Sequence, residues 1–129
     1  MEATVEWKGE ETILCTAANG KMMELDGGGG GISPVVATLQ AAGACSLLDV
    51  VIGLKDRIVT NAFVELNAER SDDYPRVFTK INMAYKISGE NIPEKLCVRL
   101  VEQSHSKYCT VSNMLNSTAD ITWSLELDC

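Results

Sequence analysis

The chain has 129 residues, 46% of them hydrophobic and 22% charged, with a net charge of −7. That size and balance suit one globular domain, read here as spanning residues 1–129, and exclude a disordered tail or a fibrous chain. A surplus of acid with no basic stripe excludes a nucleic-acid partner, because nothing is placed to neutralise phosphates.

The opening "MEATVEWKGEE" lacks a basic segment followed by an apolar one, so no secretory signal is read there and a cytoplasmic location is expected. Ala3, Val5 and Trp7 alternate with Thr4, Glu6 and Lys8, which is strand periodicity. After a turn at Gly9, "TILCTA" sets Ile13, Cys15 and Ala17 on one face. Asn19-Gly20 then predicts a hairpin turn of type I′, with positive φ at both residues. The chain thus opens as a three-stranded meander.

Gly27 to Gly31 form an unbroken glycine run. The lysine and hydroxyl of a phosphate-binding loop are missing beside it, so it reads as a flexible connector. Ser33 and Pro34 are cap and first residue of a helix expected to reach about Arg57. Its run "AAGACSLLDVVIGL" is apolar enough to raise a membrane span. Gln40 and Asp49 inside it favour a central helix buried on nearly all sides, and no membrane partner is expected.

"NAFVELNAER" and "RVFTKINMAYKI" read as two further antiparallel strands around the turn "SDDYP". Val77, Thr79, Ile81, Met83, Tyr85 and Ile87 would share the second strand's inner face. A second helix entered at Pro93 carries an apolar stripe of Leu96, Cys97, Leu100, Val101 and Tyr108. "YCTVSNML" reads as a break and a short third helix, and "ITWSLEL" as a closing strand with Trp123 inward. The fold class is α+β.

Five cysteines without a secretory signal suggest thiol chemistry more than a disulfide framework. Cys15 and Cys97 lie on apolar faces and read as core, and Cys129 as a frayed end. Cys109 falls near a helix N-terminus, where unpaired N–H groups favour a thiolate. Cys45 sits in an apolar helix, where desolvation favours the thiol. Residue types alone leave open whether the two act together. His105, the only histidine, would lie one helical turn before Cys109 as a base or as a helix-end residue. Arg70 and Arg76 flank "SDDYP" as solvated strand-end charges, and Trp7 and Trp123 read as core. No CxxC or Cys/His cluster supports a metal site.

"SPVVATLQAAGACS" on a long helix, followed by two strands, a second helix and "KYCTVSNML", resembles the OsmC/Ohr family of thiol peroxidases. The likeness runs through the whole chain and is nearest the small OsmC-like branch. It implies an OsmC-like fold in an intertwined homodimer, with sites at the subunit interface and no haem, flavin or metal cofactor. It also implies that Cys45 attacks an organic hydroperoxide and becomes a sulfenic acid. Cys109 resolves that acid as a disulfide, and a dithiol reductant restores both thiols. The apolar run would then form a pocket for alkyl or lipid hydroperoxides, in a bacterial oxidative-stress setting.

Two departures from the family pattern matter. The first arginine is Arg57, after Cys45, and Val35 or Val36 stands where a glutamate would hold an activating arginine. Lys21 with Glu24 or Asp26 is the candidate substitute. Thr110 replaces the proline that many members carry after the second cysteine. The alternative reading is therefore a catalytically weak or inactive OsmC-like protein that binds a small apolar ligand.

Overall fold

A computed structural model describes residues 1–128, so Cys129 lies outside the described residues. The chain divides into two compact units, Met1–Leu39 and the residues from Gln40 onward.

The first unit holds β1 (Ala3–Gly9), β2 (Thr12–Ala17) and β3 (Met22–Asp26) in an antiparallel sheet of order β1-β2-β3. The expected faces are present, since Val5 pairs with Cys15 and Trp7 with Ile13. They are not covered as expected. Val5 and Trp7 are exposed, and Cys15 is half-buried rather than core. The Asn19-Gly20 turn is also not type I′. Gly20 alone takes a positive φ, 84°, and its N–H bonds to Ala17 O at 2.9 Å, the pattern of a type I turn closed by a left-handed glycine. The glycine run is tied down rather than loose: Gly27 N–H reaches Glu11 O at 3.0 Å, and Gly28 N–H reaches Asp26 Oδ1 at 2.7 Å.

Helix α1 (Pro34–Gly53) begins as expected, with Val36 N–H capped by Ser33 Oγ at 3.1 Å. It ends four residues earlier than Arg57. It is also not buried on nearly all sides. Ala42, Gly43, Ser46 and Val50 are the buried stripe, while Val36, Leu48 and Ile52 are exposed. By length and hydropathy α1 is the one helix among the described residues able to cross a membrane.

The second unit is built on β4 (Ile58–Arg70), β5 (Phe78–Glu90) and β6 (Asp120–Asp128), with β5 in the middle. β4 pairs antiparallel to β5, but β6 runs parallel to it, Met83 opposite Trp123 and Tyr85 opposite Leu125. The sequence left the direction of the closing strand open, and it is parallel to β5. The connection explains the direction: α2 (Glu94–Gln103), a π-helical turn (Ser104–Tyr108) and α3 (Thr110–Leu115) form a crossover, which returns the chain to the starting end of β5.

The buried face of β5 is Phe78, Ile81, Met83, Tyr85 and Ile87. Val77 and Thr79 were expected inside and are exposed. The β4–β5 register shifts between the Glu69–Lys80 and Arg70–Phe78 pairs, so one residue, Thr79, drops out of the alternation. Arg70 Nε and Arg76 Nε donate to the carbonyls of Arg76 and Ser71, at 2.8 and 3.4 Å, and brace the turn between the strands.

Glycines set how closely α1 sits. A Cβ on Gly43, the glycine of "AAGAC", would lie 2.8 Å from Leu66 Cδ1 of β4, and one on Gly53 would strike Leu100 of α2. Leu54, Val50, Cys97 and Val101 complete the core between these helices and the sheet.

Candidate active site

The two cysteines singled out in the sequence come together. Cys45 is half-buried in the middle of α1, Cys109 is fully buried at the cap of α3, and the two thiols lie near enough for Cys45 to act on the ionisation of Cys109. Both are free thiols in this structure.

The residues after Cys109 explain its fixed position. Cys109 adopts an extended backbone (φ −76°, ψ 103°), which lets its side chain turn back over the first turn of α3. Ser112 N–H donates to its sulfur at 3.4 Å, and Asn113 Nδ2 donates to its carbonyl at 2.8 Å. The thiol itself lies 3.7 Å from Ala42 O on α1, as donor. Its backbone N–H bonds back to Ser104 O at 2.7 Å. The "C-x-V-S-N" spacing is thus a cradle: serine holds the sulfur and asparagine the carbonyl.

The helix end does not make Cys109 acidic. Burial pushes its pKa up, the bonds from Ser112 pull it back only in part, and the hydrogen bond and charge of Cys45 push it up again. The expectation of a lowered pKa at this position fails because the site is dry.

Behind the thiols lies a buried polar chain that the sequence reading missed. Ser46 Oγ is 2.5 Å from Tyr85 Oη and 2.8 Å from Ser104 Oγ, and Ser104 donates to Asp49 Oδ2 at 2.8 Å. Tyr85 Oη also meets His105 Nε2 at 2.7 Å. Ser46, Ser104 and Tyr85 are almost completely buried, and the Tyr85 ring packs edge-on against His105 and Trp123. Burial raises the Tyr85 pKa to about 12; the Ser46 bond lowers it, and the charges of Cys109 and Asp49 add to the rise. Burial likewise lowers the pKa of His105, against a smaller opposing pull from Asp49. Polar residues at one-turn spacing in an otherwise apolar helix, Ser46 and Asp49, were the available signal.

His105 does not serve Cys109 as a neighbour one turn away. The π-helical turn Ser104–Tyr108 widens the coil, and His105 bonds to Tyr85 instead. The same turn leaves Tyr108 exposed, off the α2 stripe where it was expected. Lys21 makes no ion pair with Glu24 or Asp26 among the described residues, and Asp26 is spent on the glycine loop. No cation contributes to the forces on Cys109. The described residues contain no cluster of three or more His, Cys, Asp or Glu side chains fit for a metal.

The apolar cleft that the later turns of α1 help to line is open rather than enclosed, and neither thiol lines it. A cleft of about 320 Å³ is lined by Asp49, Ile52, Gly53, Leu100, Gln103 and Tyr108, one turn along α1 from Cys45.

An α+β unit in which a central helix and a later helix cap bring two free thiols together defines a class of small dithiol proteins. The chain belongs to the OsmC-like family, whose model matches residues 27–124. It is 37% identical to Protein YhfA of Escherichia coli K12 over 131 residues, covering 98% of each chain. A hypothetical protein from Aquifex aeolicus superposes with a TM-score of 0.84 at 26% identity, covering 99% of this chain and 97% of that one. The organic hydroperoxide resistance protein OhrB of Bacillus subtilis shares the fold, with a TM-score of 0.63 at 16% identity and 98% of each chain covered.

Proposed function

We propose that the protein is a thiol-dependent peroxidase that reduces organic hydroperoxides in the cytoplasm, acting as a homodimer. The observation that carries this reading is the convergence of Cys45 and Cys109, 64 residues apart in sequence, near enough for one thiol to act on the other. The half-buried thiol, Cys45, is the one a substrate reaches. As thiolate it attacks the distal oxygen of the hydroperoxide, forming a sulfenic acid and releasing an alcohol. Cys109, still protonated and already in contact, then forms the Cys45–Cys109 disulfide and releases water. A dithiol reductant returns both thiols by exchange. Membership of a family that includes a protein named for organic hydroperoxide resistance supports this substrate class.

One experiment separates the two roles. In Cys109→Ser, one equivalent of tert-butyl hydroperoxide should leave a sulfenic acid on Cys45 that dimedone traps, while Cys45→Ser should trap nothing. Equal labelling of both variants, or label on Cys97 or Cys15, would overturn the assignment.

A second reading is favoured by a specific observation: no cation is among the groups that shift Cys109. On that reading the protein is a weak or inactive relative that binds a small apolar ligand, and wild-type thiols survive the hydroperoxide untouched.

A further inference from the structure

The buried polar chain has a direction, fixed by counting protons. Asp49 as a carboxylate only accepts, so Ser104 gives it its single hydroxyl proton. Ser104 Oγ must then accept from Ser46, and Ser46 Oγ from Tyr85. The weak alternative from Tyr85 to Met83 Sδ, at 3.6 Å, is thereby unused. Tyr85 Oη has only its lone pairs left for His105, so His105 carries its proton on Nε2. Its Nδ1 is left as a bare lone pair. Nδ1 is in fact the one buried side-chain polar atom without a partner among the described residues.

The opposite arrangement is also complete. With Asp49 protonated, every hydroxyl turns round, Nε2 accepts from Tyr85, and the proton sits on Nδ1. The two arrangements differ by one proton, taken up at Nδ1 and delivered at Asp49. The residues at the two ends line different clefts, and Nδ1 itself is buried. His105 lines one of about 480 Å³ with Asn116, Ala119, Asp120 and Ile121, and Asp49 lines the apolar cleft with Ile52, Leu100 and Tyr108. Asp49 follows Cys45 by four residues on α1, so the two side chains are neighbours on one helix face, with Cβ atoms about 5–6 Å apart.

We propose that His105, Tyr85, Ser46 and Ser104 form a proton wire ending at Asp49, and that Asp49 protonates the alkoxide released when Cys45 cleaves a hydroperoxide. The step rests on the peroxidase reading of Cys45 and balances as follows. A proton passed along the wire from the His105 side first loads the resting Asp49 carboxylate. The Cys45 thiolate, the hydroperoxide ROOH and protonated Asp49 then give Cys45 sulfenic acid, the alcohol ROH and the Asp49 carboxylate. The S–O bond forms as the O–O bond breaks, sulfur loses two electrons, and the alkoxide oxygen receives the Asp49 proton. The wire then returns a proton to Asp49 from the His105 side. Asp49 is the catalytic residue of this step; the other four are positioning residues. This arrangement stabilises the leaving group with a proton instead of a fixed cation, in a chain whose N-terminal sheet has no arginine.

Two readouts test it. Because the chain has one histidine, nitrogen-15 NMR of labelled protein reads a single imidazole. The expected ring is neutral with the proton on Nε2, and Tyr85→Phe should abolish that preference. A proton on Nδ1 in the wild type at neutral pH would overturn the wire's direction. For delivery, the rates of Cys45 oxidation by tert-butyl hydroperoxide and by peracetic acid are compared. The first releases a basic alkoxide that needs a proton, and the second releases acetate, which does not. Asp49→Asn should raise the peracid-to-hydroperoxide rate ratio at least about tenfold. An unchanged ratio, with both rates lowered or neither, would contradict the role of Asp49 as donor. A wild type inert to both oxidants would sink the peroxidase reading and the delivery step together. The NMR result stands apart from that outcome.

Discussion

At the scale of single residues, the site is governed by burial more than by formal charge. Ser112 and the α3 N-terminus pull the Cys109 pKa down, yet desolvation wins and the thiol is held protonated. The same rule acts on Tyr85 and His105, and it makes stability depend on pH in two windows. The Tyr85 pKa in the fold, about 12, lies above its ordinary value of 10.0. Between those values the folded chain holds more protons than the unfolded one, so stability should fall as pH rises through that window. The His105 pKa in the fold lies below its ordinary value of 6.5. Its contribution is full above 6.5 and is lost as pH falls below it, because the unfolded chain takes up the proton first. Melting temperature against pH checks both. Tyr85→Phe should flatten the alkaline limb, and His105→Gln should weaken the acid limb relative to wild type. Parallel curves in all three proteins would count against the buried network.

At the scale of elements, glycines fix what the polar chain needs. Ser46 reaches Tyr85 and Ser104 only because α1 lies close to β4 and α2, and Gly43 and Gly53 are the points of approach. Gly43→Val should push Leu66 aside, cost about 1–3 kcal/mol by overpacking, and slow Cys45 oxidation beyond what the lost stability explains. Urea unfolding and thiol titration measure the two effects. A variant with wild-type stability would show that the close approach is dispensable. Much at this scale was legible in the sequence. The Ser33-Pro34 start of α1, the alternating strands and the break before Cys109 all follow from local chemistry. The parallel direction of β6 was not legible, since alternation in "ITWSLEL" is the same in either direction. Nor was the slip at Thr79, or the polar chain, whose partners lie 39 and 58 residues apart in sequence. Pairings over that distance are settled by packing, and no local pattern carries them.

At the scale of the whole molecule, the single chain leaves apolar surface open on both units. Val5, Trp7, Met22 and Met23 are exposed on the first sheet, and Leu48, Ile52 and Ile58 on the second unit. Apolar patches of this kind mark interaction surfaces. They support the homodimer proposed above. Sedimentation equilibrium should give twice the 14.0 kDa chain mass, and Leu48→Glu with Ile52→Glu should lower it toward one. A monomeric wild type would contradict the dimer.

The thiol pair was legible in the sequence only through family resemblance. Physics alone picked Cys109 for a helix dipole that burial overrides, and the contact with Cys45 emerged from the fold. That contact is best tested by treating the fully reduced wild-type protein with one equivalent of tert-butyl hydroperoxide and mapping its thiols by peptide mass spectrometry. Rapid loss of two thiols per chain with a Cys45–Cys109 link is the expected result. Thiols still intact after minutes, or a link that joins any other pair, would contradict it.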